Sequence, residues 1–578
     1  MLGQYLRQFG QKLVRRKPHL VIVGVGRMLI AGMYILAGAV AKFIAGPATI
    51  ISFLVAAMFS ILSGLCYTES GAWVPRSGST YFYSYVTMGQ VYAFIIGWAL
   101  CLLSSADCTA ALARASSYIF DSLIGNHISQ ALQETFSLQL PYSLATYADF
   151  FALGLVLLMT GLRLLGARES ILVTKISIGI NILVLIFITI TGFIKGDLHN
   201  WKTRLTHFLS LSFSHRSLGP LGSGGFAPFG FEGILQGTAT CFYYFFGVDV
   251  LATKGAEAIN PHRSIPWSIL ITIFICFLAY SGVSVALTLM VPYYLIQPHN
   301  PFPQAILHSL WLPATYITTI GTLCALIFRL HTAVFKMPTL IYTMAEDGLL
   351  FRVLTRIHVS VSHSLLHLVC ALILGIMALL FRFTDLVDLV SVGTLLIYSL
   401  VAFSILVLRY QPDQNLRKNE NTEEEIEMPV PDEHPLDSEP EARNSNILKS
   451  LWFPISTIPT RKSGQIVYGC ASLLVLLMII LSLILVQWSS QGFSGDSKYT
   501  PVAVLLLLLI IGVMVIIWRQ PQNPIPLYFK VPALPLLPLV SIFVNIYLMM
   551  QITSGTWAIF GIWNVVGKWL SGIKRPLE

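Results

Sequence analysis

The chain has 578 residues, of which 55% are hydrophobic and only 11% charged, with a net charge of +9 and a mean hydropathy of +0.73. About a quarter of residues are charged in an ordinary soluble domain, so this composition excludes one and points to a polytopic membrane protein. The positive balance is no nucleic-acid footprint, because the basic residues sit at the ends of apolar segments and form no continuous patch.

Residues 1–18 form a basic tail with Arg7, Lys12, Arg15, Arg16 and Lys17. It leads straight into an apolar run with no small-residue cleavage site, so no removed signal peptide is expected. A span needs roughly 20 mainly apolar residues. About fourteen such segments follow, starting near residues 20, 48, 90, 146, 171, 231, 265, 313, 363, 386, 464, 500, 531 and 555. Ten of them lie in residues 19–408. Residues 409–463 are acidic, with Glu423, Glu424, Glu425 and Glu427. They cannot bury enough apolar surface to order themselves and are read as a disordered cytoplasmic loop. Four further spans occupy 464–573, and 574–578 is a cytoplasmic C-terminus.

Basic residues recur on one side of this arrangement: Arg76, then Arg163, Arg168 and Lys175, then Lys254 and Arg263, then Lys336, Arg352 and Arg356. Arg409, Arg519, Lys530, Lys574 and Arg575 fall on that side too, so both termini are placed in the cytoplasm. The connection from Lys195 to Gly230 lies outside, and the chain holds no Asn-x-Ser/Thr acceptor. All eight cysteines fall inside predicted spans, which implies neither a disulfide framework or disulfide-linked partner nor a metal-ligand spacing. No catalytic triad, paired-carboxylate or cofactor motif is evident, so neither an enzyme nor a cofactor is expected.

The first span, Val21 to Val40, carries glycines at 24, 26, 32 and 38 and an arginine at 27. The sixth, Glu232 to Thr253, is also interrupted by glycine, and the two occupy matching positions in two five-span halves. Interrupted helices at matching positions of inverted repeats point to a substrate site between them. The other reading is that the glycines permit close helix packing.

Several stretches are recognisable: GVG at 24–26, YILAGAVA at 34–41, GLCY at 64–67, SYVTMG at 84–89, TATCFY at 238–243 and ALTLMVPY at 286–293. IYTMAEDGLLF at 341–351, DLVDLVSVGTLLIYSLVA at 385–402, VLRYQP at 407–412, IWRQP at 517–521 and SIFVNIYLMMQITSGTW at 541–557 continue the pattern. On these residues the chain, from about 12 to 566, resembles the cationic amino acid transporter subfamily (solute carrier family 7) of the amino acid–polyamine–organocation superfamily. The resemblance implies an all-α fold with a five-plus-five inverted-repeat core and about four extra C-terminal helices. It also implies sodium-independent transport of cationic L-amino acids such as arginine, lysine and ornithine across the plasma membrane by alternating access. The alternative is a transport-deficient or altered-specificity relative, taking a neutral or anionic amino acid or acting as a binding or regulatory membrane protein. Its motivation lies in the site residues.

Where the family reads Gly-Ser-Thr-Leu-Gly-Ala-Gly, this chain has Gly26, Arg27, Met28, Leu29, Ile30, Ala31 and Gly32. Ala31 and Gly32 keep part of the carboxylate site, whereas Ile30 places a β-branched side chain where backbone approaches ligand. Arg27 either faces the cavity or snorkels to the cytoplasmic headgroups. In the cavity it would repel a cationic substrate by on the order of 4 kcal/mol at about 4 Å and an effective dielectric of 20. In the sixth span Tyr243 and Gly247 match the family, while Tyr244, Phe246 and Val248 depart from it and either reshape the side-chain pocket or pack the bundle. Asn181 is the fifth-span polar residue carried over directly. The eighth span replaces a hydroxyl triplet with Ile327, Phe328 and Arg329. Asp107 is the nominated partner for Arg329, with Glu232 and Asp249 as alternatives. Gln90 and Trp73 replace a family Glu and Arg. Gly567, Lys568 and Trp569 interrupt the final apolar run, so the last span is expected either to end early, with Trp563 and Trp569 as interfacial anchors, or to have drifted without consequence.

Reverting Arg27→Ser together with Ile30→Gly is expected to raise arginine uptake into proteoliposomes if these positions limit transport. No gain would show that they do not.

Overall fold

The computed structural model describes residues 20–22, 24–26, 28–29, 33–73, 80–135, 145, 147–165, 171–202, 225–248, 251, 261–298, 300–308, 312–334, 336–350, 363–412, 459–490, 499–524, 527 and 529–571. Among them no β-strand occurs beyond isolated bridges, such as Leu350 with Ser571. Apolar runs in lipid have only their own backbone to hydrogen-bond with, and a helix satisfies it within one segment. The protein is an all-α, multi-pass membrane protein.

Each predicted start lies close to a helix. In chain order these are Met33–Phe43, preceded by helical residues of the first span, then Thr49–Trp73, Gln90–Ser105, Phe150–Leu164, Ile171–Lys195, Gly230–Phe242 and Pro261–Met290. Leu312–Ala333, His363–Leu380, Phe383–Leu408, Arg461–Ser490, Tyr499–Arg519, Leu536–Met550 and Ser554–Leu570 follow. The tally of spans differs from the expectation, however. Among the described residues eight helices are long and apolar enough to cross a membrane unaided, or nine if the final pair is one bent span. Three physical reasons account for the difference. Phe150–Leu164, with 15 residues, falls short of the roughly 20 residues a span needs, and His363–Leu380, with 18, sits at the lower edge of that range. The first and sixth spans are broken. The last two helices meet at 109° across a short turn.

The final helix runs on through Gly567, Lys568 and Trp569 to Leu570 and does not end early. A Cβ on Gly567 would stand 2.4 Å from Nε1 of Trp98, so glycine lets this helix lie against the third span. The Trp98 indole N–H donates to the Trp563 carbonyl at 2.9 Å, and the Trp563 indole returns a bond to the Trp98 carbonyl at 3.3 Å. Trp563 is thus a packing partner of Trp98, while Trp569 stays exposed.

Phe383–Leu408 is the central pillar. Of its most apolar window 83% is buried, against 17% for Thr500–Arg519, and it packs on Thr49–Trp73, Gln90–Ser105 and Leu536–Met550. A buried ion cluster closes each end of it. Beyond its C-terminus Arg409 donates from Nε to Oε1 of Glu69 at 2.6 Å and from Nη2 to Oε2 at 3.1 Å. The Val531 N–H adds a bond to Glu69 Oε2 at 2.6 Å, and the Asn523 N–H donates to the Arg409 carbonyl at 2.8 Å. Second span, pillar and C-terminal extension are tied at one point. Before its N-terminus the buried Arg114 donates to the carbonyls of Phe381, Ala378 and Tyr147. Asp149 lies 4.0 Å from its Nε and accepts bonds from the Ser117 hydroxyl and the Ala152 N–H, both at 2.9 Å.

Removing one partner of a buried ion pair strands the other charge, at about 3–5 kcal/mol. Glu69→Gln is therefore expected to lower the thermal unfolding midpoint of the purified protein, and Glu69→Met combined with Arg409→Met to recover part of the loss. An unchanged midpoint in Glu69→Gln would show that the cluster does not hold the bundle.

Candidate functional site

The first span is helical at Met28 and bends at Leu29, whose N–H donates to the Val25 carbonyl at 2.8 Å, and Met33 is helical again. A break leaves carbonyls with no partner further along the helix, and in an apolar bundle each must find another donor. The Leu29 carbonyl accepts from the Asn181 side-chain amide at 2.8 Å, and the Tyr34 hydroxyl donates to the Asn181 side-chain oxygen. One buried fifth-span side chain therefore grips both halves of the broken first span. The Met28 carbonyl accepts from the Tyr280 hydroxyl, which also lies 3.1 Å from the Tyr244 carbonyl of the sixth span. A single seventh-span donor bridges the two broken spans.

The sixth span breaks by a different device. Gly230–Phe242 tightens into a 3-10 turn over Tyr243–Phe245, Phe246 turns extended at ψ 135°, and Gly247 takes φ +117° before helix resumes at Val248. That φ lies in the left-handed region, where only glycine sits without steric cost.

Gly26 packs against the fifth span, since a Cβ there would stand 2.3 Å from Cδ1 of Ile178; Gly24 meets Leu251 and Thr272 in the same way. For these two glycines close packing is the observed role. Tyr244 is fully buried, with its ring 5.1 Å from Phe53 and 5.2 Å from Tyr280. Val248 fills the space over Gly64, where a Cβ would come within 2.6 Å of it. Tyr243 is buried beside Tyr244, whereas Phe246 is half-buried. Arg329 is half-buried on Leu312–Ala333. Asp107 falls in a π-helical turn, Ala106–Ala111, which packs against that helix, but its side chain is outside the described set. Arg27, Ile30, Ala31, Gly32 and Asp249 also lie outside the described residues.

Further along the two broken spans is a cavity of about 160 Å³ walled by the second half of the first span, the first half of the sixth, the pillar and the turn between the last two helices. Asp388 lines it, with Gln236, Thr240, Ser391 and Gln551. Sequence reasoning passed over Glu69, Tyr280 and Asp388. For Glu69 and Asp388 a signal existed, because an ionisable residue inside a span marks a candidate site by default. A tyrosine that caps a carbonyl 252 residues away leaves no local pattern.

Two spans broken in the middle of a helical bundle, with a partly polar cavity beside them, define the architecture of a solute transporter. The amino acid permease family model matches residues 19–430, and the model for the C-terminus of such permeases matches 529–570. The chain is 35% identical to cationic amino acid transporter 4 of Mus musculus, over 97% of its own length and 89% of that protein. The figures for cationic amino acid transporter 4 of Homo sapiens are 37% identity, 95% and 85%. For cationic amino acid transporter 3, mitochondrial, of Arabidopsis thaliana they are 30%, 95% and 88%. The chain belongs to the amino acid permease family, among its cationic amino acid transporters, and its class of activity is amino acid transport across a membrane.

Asn181→Ala would orphan the Leu29 carbonyl and the Tyr34 hydroxyl, at about 1–3 kcal/mol for each group left buried. A lower thermal midpoint than wild type is the expected result. An equal midpoint would mean that the break is held without Asn181.

Proposed function

We propose that the protein carries cationic L-amino acids (arginine, lysine and ornithine) across the plasma membrane, independently of sodium and by alternating access around the two helix breaks. The observation that carries this reading is the pair of breaks, at Leu29 and at Phe246–Gly247, in spans that the resemblance puts at matching positions of two five-span halves. A broken helix offers backbone N–H groups at the start of its second half, which suit a substrate carboxylate, and carbonyls at the end of its first half, which suit an ammonium. Ala31, Gly32, Tyr243 and Gly247 stand nearest that chemistry in sequence, with Asn181 holding the first break open. The cationic class is taken from the relatives' names and near full-length likeness. Sodium independence is supported by the eighth span, where Ile327, Phe328 and Arg329 offer no hydroxyl oxygens for an ion. With both termini in the cytoplasm, an inside-negative potential would drive a cation inward by about 2.3 kcal/mol per 100 mV.

Uptake of labelled arginine or lysine into proteoliposomes tests this. Saturable influx that rises with an inside-negative potential and survives replacement of sodium by choline is expected. Flux of neutral or anionic amino acids alone would change the substrate class, and no flux of any amino acid would leave a binding or regulatory role.

A further inference from the structure

The cavity along the two broken spans carries a carboxylate that the transport reading does not use. Asp388 lies five positions after Phe383, the first residue of the pillar helix, so it sits roughly 7–8 Å along the axis from that end. Its carboxylate lines the cavity and has no hydrogen-bond or ion-pair partner among the described residues. One turn earlier Asp385 presents Oδ2, buried and also without a hydrogen-bond partner there. Among the described residues no basic side chain lines the cavity; the other lining residues are neutral polar ones and aliphatic ones such as Leu36 and Ile44.

A carboxylate removed from bulk water and left unpaired is costly, and such groups are ordinarily paired or neutralised. In a cavity the pairing charge need not be built into the chain. A volume of about 160 Å³ exceeds many times the roughly 10–15 Å³ that one water requires, so a small solute fits. The lining selects among solutes: a carboxylate for a cationic head, aliphatic walls for methylenes, and amide and hydroxyl groups for whatever polar surface remains. In the proposed topology this end of the pillar faces outside.

We infer that the cavity is an outer vestibule site in which Asp388 pairs with the side-chain ammonium or guanidinium of a cationic amino acid before the substrate reaches the helix breaks. The inference rests on the transport reading for its direction of travel. It also assigns a role to the C-terminal extension, because Gln551 and Thr553, in the turn between the last two helices, form part of the wall. The site is incomplete without a segment outside the ten-span core. Thr384 lies four residues before Asp388 on the same cavity, so a lysine there would reach the carboxylate from within the chain and occupy the place of the substrate head.

The test uses the full chain in lipid nanodiscs and in proteoliposomes. Lysine and arginine are expected to raise the thermal midpoint of the wild type, and norleucine, which has an aliphatic side chain without the ammonium, is not. In Asp388→Asn and in Thr384→Lys that lysine-specific shift is expected to vanish, and KM for lysine and arginine to rise about tenfold or more with little change in maximal rate, as for loss of uniform binding. Thr384 is exposed, so its variant preserves the test if Asp388→Asn fails to fold. Folded variants with wild-type lysine shift and KM would overturn the inference while leaving cationic transport intact. An Asp388-dependent lysine shift in a protein that moves no cationic amino acid would uphold the site and sink the transport reading. Equal stabilisation of the wild type by lysine and norleucine, or by neither, would overturn the cation site directly.

Discussion

The backbone at a helix break inside an apolar bundle must find partners that the helix no longer supplies, and this constraint orders the rest of the molecule. The carbonyls of Met28 and Leu29 are served from the seventh and fifth spans, by Tyr280 and Asn181. Because Asn181 also accepts from Tyr34 beyond the break, the two half-helices are held to one another through a third element. Tyr280 does the same between spans, reaching the Tyr244 carbonyl. A break maintained in this way has a defined geometry and is no mere gap in a helix. Any rearrangement of the site must either carry Asn181 and Tyr280 along or exchange their bonds for others, so these two side chains bound the movements open to the first span.

The ends of the bundle are fixed by charges. A buried ion pair gives little net stability, because desolvation offsets its attraction, but removing half of it is expensive. Its effect is to set registry. Glu69 receives the Arg409 guanidinium on both oxygens and the Val531 N–H on one, so the end of the second span, the end of the pillar and the segment leading into Leu536–Met550 share a single junction. The reciprocal indole bonds of Trp98 and Trp563 and the contact of Ser63 with Ser541 at 3.1 Å bind the extension further. The last helices are thus built into the core, which explains how their turn comes to wall the cavity.

Much of this was legible in the sequence and some was not, for identifiable reasons. Hydrophobic runs locate helices because burial in lipid depends on composition along one segment, and the segments starting near 48, 265 and 500 became Thr49–Trp73, Pro261–Met290 and Tyr499–Arg519. Glycine alone could not say which of its two uses applied. Gly247 has φ +117°, whereas Gly26 holds Ile178 at packing distance; conformation and neighbours separate them, and composition does not. Length is harder to read from composition than position: Phe150–Leu164 has 15 residues and His363–Leu380 has 18. Glu69 and Arg409 are 340 residues apart, and Arg409 read locally as one more positive residue at a span end. Only the fold shows that it is buried and answered.

Two of the three sixth-span departures from the family pattern, Tyr244 and Val248, are buried packing residues. Val248 rests on Gly64, so a larger side chain on one helix is met by the absence of one on the other. Tyr244 completes an aromatic cluster with Phe53 and Tyr280, and its carbonyl shares the Tyr280 hydroxyl. Both changes are absorbed by packing within the bundle. Phe246 differs, since of the three substitutions it is the one at the extended residue of the break itself that keeps exposed surface. An aromatic ring there narrows the path without adding charge, and its face suits a cationic head as readily as an apolar one. The sixth span therefore contributes shape, and on the proposed reading the charge that would distinguish lysine from norleucine is the carboxylate of Asp388, which lines the cavity.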